Sequence, residues 1–107
     1  MKFGLSSTVI DKFTAIFSKY PEIKEVVIYG SRAKGDFRPG SDIDITLKGN
    51  KITPDIRSKV WLDLDEANTP YLIDLSIFHQ LDSNGLIDHI NRVGETFYKK
   101  DMNKISI

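Results

Sequence analysis

The sequence predicts an α+β fold, a small mixed β-sheet with helices packed on one face. Three observations predict it. Stretches with helical periodicity and short β-branched or alternating stretches interleave along the chain. Two of the strand-like stretches alternate polar and apolar residues, so each has one wet and one dry face. The length of 107 residues suits a modest core and a single domain over 1–107.

Each element has its own signal. Ser6 and Ser7 are helix N-cap candidates, and Val9, Phe13, Ile16, Phe17 and Tyr20 then recur at helical spacing until Pro21 stops them. Residues 24–29 are short and β-branched, which predicts a strand broken by Gly30-Ser31. A helical turn over 31–34 ends at Gly35, and Pro39-Gly40 mark a loop. Over 41–48, Asp42, Asp44, Thr46 and Lys48 share one strand face while Ile43, Ile45 and Leu47 share the other. Thr53-Pro54 reads as a cap followed by proline at the first helical position. Ile56, Val60, Trp61 and Leu64 then mark the buried stripe. Residues 71–78 alternate again, with Leu72, Asp74 and Ser76 opposite Ile73, Leu75 and Ile77. Asn84 caps a last helix with Leu86, Ile87, Ile90 and Val93, and Gly94 ends it. Residues 96–98 form a short edge strand, and the tail after Lys99 frays.

Composition narrows the class. Hydrophobic residues at 40% and charged residues at 28% describe a folded chain rather than a disordered one. Fifteen basic and fifteen acidic residues cancel, so stable nucleic-acid binding is not expected. Without cysteine there is no disulfide, thiolate nucleophile or Cys-based zinc site. No apolar run is long enough for a membrane span, and Met1-Lys2-Phe3-Gly4 starts no secretion signal, so a cytoplasmic location is expected.

The chemistry-bearing residues are Asp42, Asp44 and Asp74. Asp42 and Asp44 point the same way on their strand, roughly 6–7 Å apart at Cα. Asp74 also lies opposite an apolar face, and neighbouring strands would make the three converge. Like charges raise one another's pKa, and a divalent cation relieves the conflict. Oxygen ligands with open positions favour Mg2+. Gly30 lets the backbone approach a phosphate, while Ser31 and the turn after it offer donors. Arg32, Lys34 and Arg38 add cations. The combination implies phosphoryl transfer with two metal ions: Asp42 and Asp44 help both, Asp74 joins the second and is the candidate general base, and pyrophosphate leaves.

Gly30-Ser31, ten residues and then Asp42-Ile43-Asp44 resemble the GS…DxD signature of the polymerase-β-like nucleotidyltransferase superfamily. The run YGSRAKGDFRPGSDIDITL, from Tyr29 to Leu47, is similar to its minimal nucleotidyltransferase (MNT) branch. The resemblance reaches Tyr71-Leu-Ile-Asp-Leu-Ser, where Asp74 matches the third carboxylate. It implies the polymerase-β-like fold, Mg2+ held by Asp42, Asp44 and Asp74, and a phosphate-binding role for Gly30 and Ser31. MntA-type antitoxins of this branch move AMP from ATP to a tyrosine of a HEPN-domain ribonuclease toxin. The resemblance therefore implies ATP as substrate and a HEPN-domain protein as acceptor and partner. Relatives acting on small molecules or nucleic acids carry further domains, which also favours an acceptor on another protein.

Plainer readings stand beside these. Arg32, Lys34 and Arg38 either contact the nucleotide, Arg32 foremost, or belong to a solvated loop. Ser41 either orients that loop or touches phosphate. His79 and His89 read as structural or solvent-facing, and Trp61 as core rather than a base-stacking platform. Leu62, off the buried stripe, marks a partner surface or is an ordinary exposed leucine. Two rival functions remain: a module that silences its partner sterically, without chemistry, and transfer to a small molecule or an RNA end.

Overall fold

The computed structural model describes residues 2–100. Helix α1 (Ser7–Ser18) is followed by strand β1 (Glu25–Tyr29), the four-residue helix α2 (Ser31–Lys34) and strand β2 (Ile43–Lys48). Then come α3 (Pro54–Glu66), β3 (Ile73–Ile77), a 3-10 turn (Phe78–Gln80), α4 (Asn84–Val93) and β4 (Glu95–Lys99). The strands form one mixed sheet in the order β3-β2-β1-β4. β1 runs antiparallel to β2 and β4, whereas β2 and β3 are parallel because α3 carries the chain back across the sheet.

The helix ends follow local chemistry. Ser6 Oγ accepts the Val9 N–H at 3.3 Å and opens α1. Thr53 Oγ1 accepts the Ile56 N–H at 3.2 Å and opens α3, with Pro54 at its first position. The last helix starts one residue earlier than expected. Ser83 rather than Asn84 is its cap, accepting from Leu86 N at 3.2 Å, and Asn84 becomes the first helical residue.

The main core lies between the sheet and α1 with α3. Phe13 and Phe17 of α1 and Val60 and Leu64 of α3 bury against Val26, Ile28, Ile43, Ile45, Leu47, Leu75 and Ile77. Trp61 departs from the expected stripe and is 38% exposed. One residue beyond Val60 it is rotated about 100° around the helix, which carries it to the margin of the buried face. Leu62 is exposed, as its position off the stripe predicted. At the end of α1, the Tyr20 hydroxyl donates to Asp63 at 2.5 Å, and Lys19 pairs with the same carboxylate at 3.0 Å. These contacts tie α1 to α3.

Helix α4 takes the opposite face of the sheet from α1 and α3. Val27 and Tyr29 alternate with Val26 and Ile28, so β1 is apolar on both sides, as an inner strand can be. Ile90 of α4 buries against Val27 and Tyr29, with Phe78, Leu81, Leu86 and Val93 around them. The carboxylate face is therefore only partly open: α4 covers one part and leaves the other to solvent.

β3 is an outer strand, and Arg57 Nε of α3 donates to its Leu75 carbonyl at 2.8 Å. The expected short strand at 96–98 is β4. The frayed tail expected after Lys99 falls, for 101–107, outside the described residues. Lys100 itself donates its backbone N–H to Lys24 O at 2.9 Å. Among the described residues no helix is long and apolar enough to cross a membrane.

Candidate active site

The site forms where β1 ends and β2 and β3 begin. In the parallel pairing of β2 with β3, Asp44 lies directly opposite Asp74, and Ile43 opposite Ile73. Directly opposed residues on adjacent strands put their side chains on the same face. On the other side of β2, Asp44 is the register partner of Tyr29, the residue before Gly30. Asp42 is exposed and sits two residues before Asp44, just ahead of β2. The fold thus brings all three expected aspartates to one end of one sheet face.

Their charges are felt. Burial pushes the Asp44 carboxyl above its usual range, and the neighbouring Asp74 and Asp42 charges push the same way while His89 opposes them. The Tyr29 phenol is pushed up first by burial, with Asp74 and Asp44 adding to it and the Ser76 hydroxyl working against it. Oxygen donors that repel one another at a partly open sheet end suit a hard divalent cation. The side chains are not drawn together around one point, however. Among the described residues no three His, Asp or Glu side chains are grouped closely enough to hold an ion. The fit lies in the donor types, their shared face and their mutual repulsion.

Gly30 is required here for two reasons. Its φ of +74° and ψ of −153° lie where only glycine is comfortable. A Cβ on it would also overlap Asp44 Oδ2 and sit 3.4 Å from Asp44 Cγ. The turn is pressed against the central carboxylate. Ser31 begins α2, and Lys34 is the residue whose N–H returns to the Gly30 carbonyl, at 3.1 Å. The N–H groups before it lie at the open start of the helical turn.

Arg32, expected foremost at the nucleotide, is turned into the protein. It is 2% exposed. Its Nε and one terminal nitrogen donate to Ser41 O at 3.1 and 2.9 Å, and the other terminal nitrogen donates to Phe3 O at 2.9 Å. Its guanidinium lies 5.2 Å from the Phe37 ring centroid and 4.8 Å from that of Tyr71. In this structure its donors serve protein carbonyls rather than an outside ligand. Lys34 is exposed and pairs with Asp36 at 3.7 Å. Arg38 is exposed, and its backbone N–H donates to Ser41 Oγ at 2.8 Å. Ser41 thus orients the loop through its hydroxyl and its carbonyl.

One neighbour was missed in the sequence. His89 of α4 stands edge-to-face with Tyr29, ring centroids 6.2 Å apart at 82°, and acts electrostatically on Asp44. Its signal was its spacing: it sits three residues after Leu86 and one before Ile90, both of which pack against the sheet. Thr46 and Ser76 lie deeper on the same face and bond to each other, Ser76 Oγ to Thr46 Oγ1, at 2.8 Å.

Residues 11–103 match the family described as polymerase beta, nucleotidyltransferase, and the chain belongs to that family. Among curated proteins, no sequence matches it. Solved structures share its fold. A toxin–antitoxin complex with AMP-PNP matches at a TM-score of 0.67 and 20% identity, covering 94% of this chain and 79% of the other. A tri-AMPylated Shewanella oneidensis HEPN toxin in complex with its MNT antitoxin matches at 0.66 and 16%, covering 94% and 78%. The MntA–HepT toxin–antitoxin matches at 0.65 and 16%, covering 89% and 74%.

Proposed function

We propose that the chain is a Mg2+-dependent nucleotidyltransferase that moves AMP from ATP onto a hydroxyl of a partner protein, a tyrosine of a HEPN-domain toxin, and so acts as an antitoxin. The observation that carries this reading is the register of Asp44 opposite Asp74 beside the glycine turn that abuts Asp44. Family membership and the likeness to complexes with AMP-PNP and with an AMPylated HEPN toxin support it.

Each residue has a role in the proposal. Gly30 and Ser31 offer backbone N–H groups and a hydroxyl to the triphosphate. Asp42, Asp44 and Asp74 would hold Mg2+, which when bound neutralises phosphate charge and makes the acceptor hydroxyl more acidic. Asp74 lies on the outer strand and takes the proton from that hydroxyl as its oxygen attacks the α-phosphorus. The new oxygen–phosphorus bond forms, the bond to the bridging oxygen breaks, and pyrophosphate leaves. Ser41 keeps the preceding loop in place, as the hydrogen bonds of its hydroxyl and carbonyl indicate.

The test is transfer of label from α-labelled ATP to a HEPN partner with Mg2+. Wild type should label it, and Asp42→Ala with Asp44→Ala should not. No labelling by wild type with its true partner would reject the reading. Steric silencing without chemistry is the rival reading. Under that reading the double variant still neutralises the partner at equal expression.

A further inference from the structure

Arg32 touches the loop entering β2 and the segment entering β3. It sits two residues after Gly30, in the turn expected to face phosphate. Two of its nitrogens fork onto the carbonyl of Ser41, the residue before Asp42. A third reaches the Phe3 carbonyl in the N-terminal turn, where Lys2 and Leu5 bridge each other. One face of its guanidinium is near Phe37 of the loop, and Tyr71 also stacks on it, three residues before Asp74. The N-terminal turn is fixed against the same loop, since the Phe37 ring occupies the space a Cβ on Gly4 would need.

We infer that Arg32 is a positioning residue: a buried guanidinium that locks the loop entering β2, the segment entering β3 and the glycine turn into one arrangement, and so sets Asp42 and Asp74 relative to Gly30-Ser31. The inference rests on the nucleotidyl-transfer reading for its consequence, but not for its geometry. A buried cation is tolerated only when its hydrogens are matched, and here three nitrogens meet carbonyls and two aromatic rings lie near the guanidinium. The fork to one carbonyl needs the planar geometry that arginine has and lysine lacks.

The experiment uses Arg32→Lys and Arg32→Gln in the full chain. Without nucleotide, amide exchange at Arg38 and Ser41 should speed up on the order of tenfold in both variants, because the loop they close has lost its anchor. ATP affinity, measured by calorimetry without acceptor, should fall equally in both. If Arg32 were instead a phosphate ligand, apo exchange would not change and lysine would restore most of the affinity; that pattern overturns the inference. Should both variants unfold, Phe37→Leu and Tyr71→Leu keep the arginine and remove its rings. Faster exchange at the same two amides then supports the anchor, and unchanged exchange overturns it. A wild type that binds no ATP defeats the transfer reading while leaving the exchange result to decide the anchor.

Discussion

Substituting alanine for Gly30 tests the site at its tightest point. At φ +74° and ψ −153°, an alanine would be held in a region costing about 1–3 kcal/mol for a residue with a side chain. The new Cβ would also overlap Asp44 Oδ2. That atom ends a side chain that can rotate, so the collision displaces the carboxylate rather than adding a second large cost. The expected loss is therefore about 1–3 kcal/mol, mostly backbone strain. At about 4–8 °C per kcal/mol for a chain of this size, the midpoint falls by several degrees or more. Asp44 is pushed from its place opposite Asp74, so transfer activity should drop by at least about a hundredfold, the order seen when positioning groups are misplaced. Urea unfolding followed by circular dichroism measures the first effect, and the labelling assay the second. Gly85→Ala is the internal control. Gly85 lies in α4 with a negative φ, and a Cβ there would meet only Ser83 Oγ at 4.0 Å. It should raise stability by about 0.5–1 kcal/mol. A Gly30→Ala chain within about 0.5 kcal/mol of wild type would refute the strain argument.

Three further outcomes follow from the structure. Asp44→Asn removes a carboxyl whose pKa is raised in the fold, chiefly by burial and then by Asp74 and Asp42. A raised carboxyl pKa means that ionisation weakens the folded state as pH climbs through it, so at neutral pH without metal the variant should melt higher than wild type while losing transfer; a lower melting point would contradict the account. Tyr20 is pushed up to about 12, by burial first and then by its bond to Asp63, whereas Asp63 is held low chiefly by that same bond. The Tyr20 contribution is full below pH 10 and disappears as pH rises through about 12; the Asp63 contribution is present above the ordinary carboxylate range and disappears in acid. Tyr20→Phe should flatten both flanks of a stability–pH curve measured by urea titration, and an unchanged curve would show that the pair is not coupled to folding. Ile90→Ala empties the contact of α4 with Val27 and Tyr29 and should cost about 2–4 kcal/mol by calorimetric melting; a loss under about 1 kcal/mol would mean that α4 is loosely held.

The fold was legible wherever a strand or helix showed one pattern. The alternation in 41–48 and 71–78 and the caps Ser6 and Thr53 needed no tertiary information, and the structure has those elements with ends shifted by one or two residues. The periodicity predicts α4 as a helix, and the structure sets it on the face opposite α1 and α3 rather than with them. The clue was in β1, where Val27 and Tyr29 are as apolar as Val26 and Ile28 and require cover on both faces. The size and apolarity of Trp61 suggest burial, but its angle on α3 sets it at the margin. At the site, the pairing of Asp44 with Asp74 was a consequence of strand neighbours that one sequence does not specify. Arg32 looked like a ligand because a cation beside a glycine turn usually faces outward. Only the path of the loop shows that Ser41 O and Phe3 O lie within its reach.

The guanidinium of Arg57 on the Leu75 carbonyl has a consequence for traffic at the sheet's margin. Asp74 sits on a border strand, where an incoming polypeptide could zip on and smother the carboxylate. With an acceptor on that border already engaged by a cationic side chain, continuous backbone pairing is interrupted in mid-strand. An incoming strand is therefore discouraged from pairing along the whole of β3, and two copies of this chain are discouraged from joining into a longer sheet.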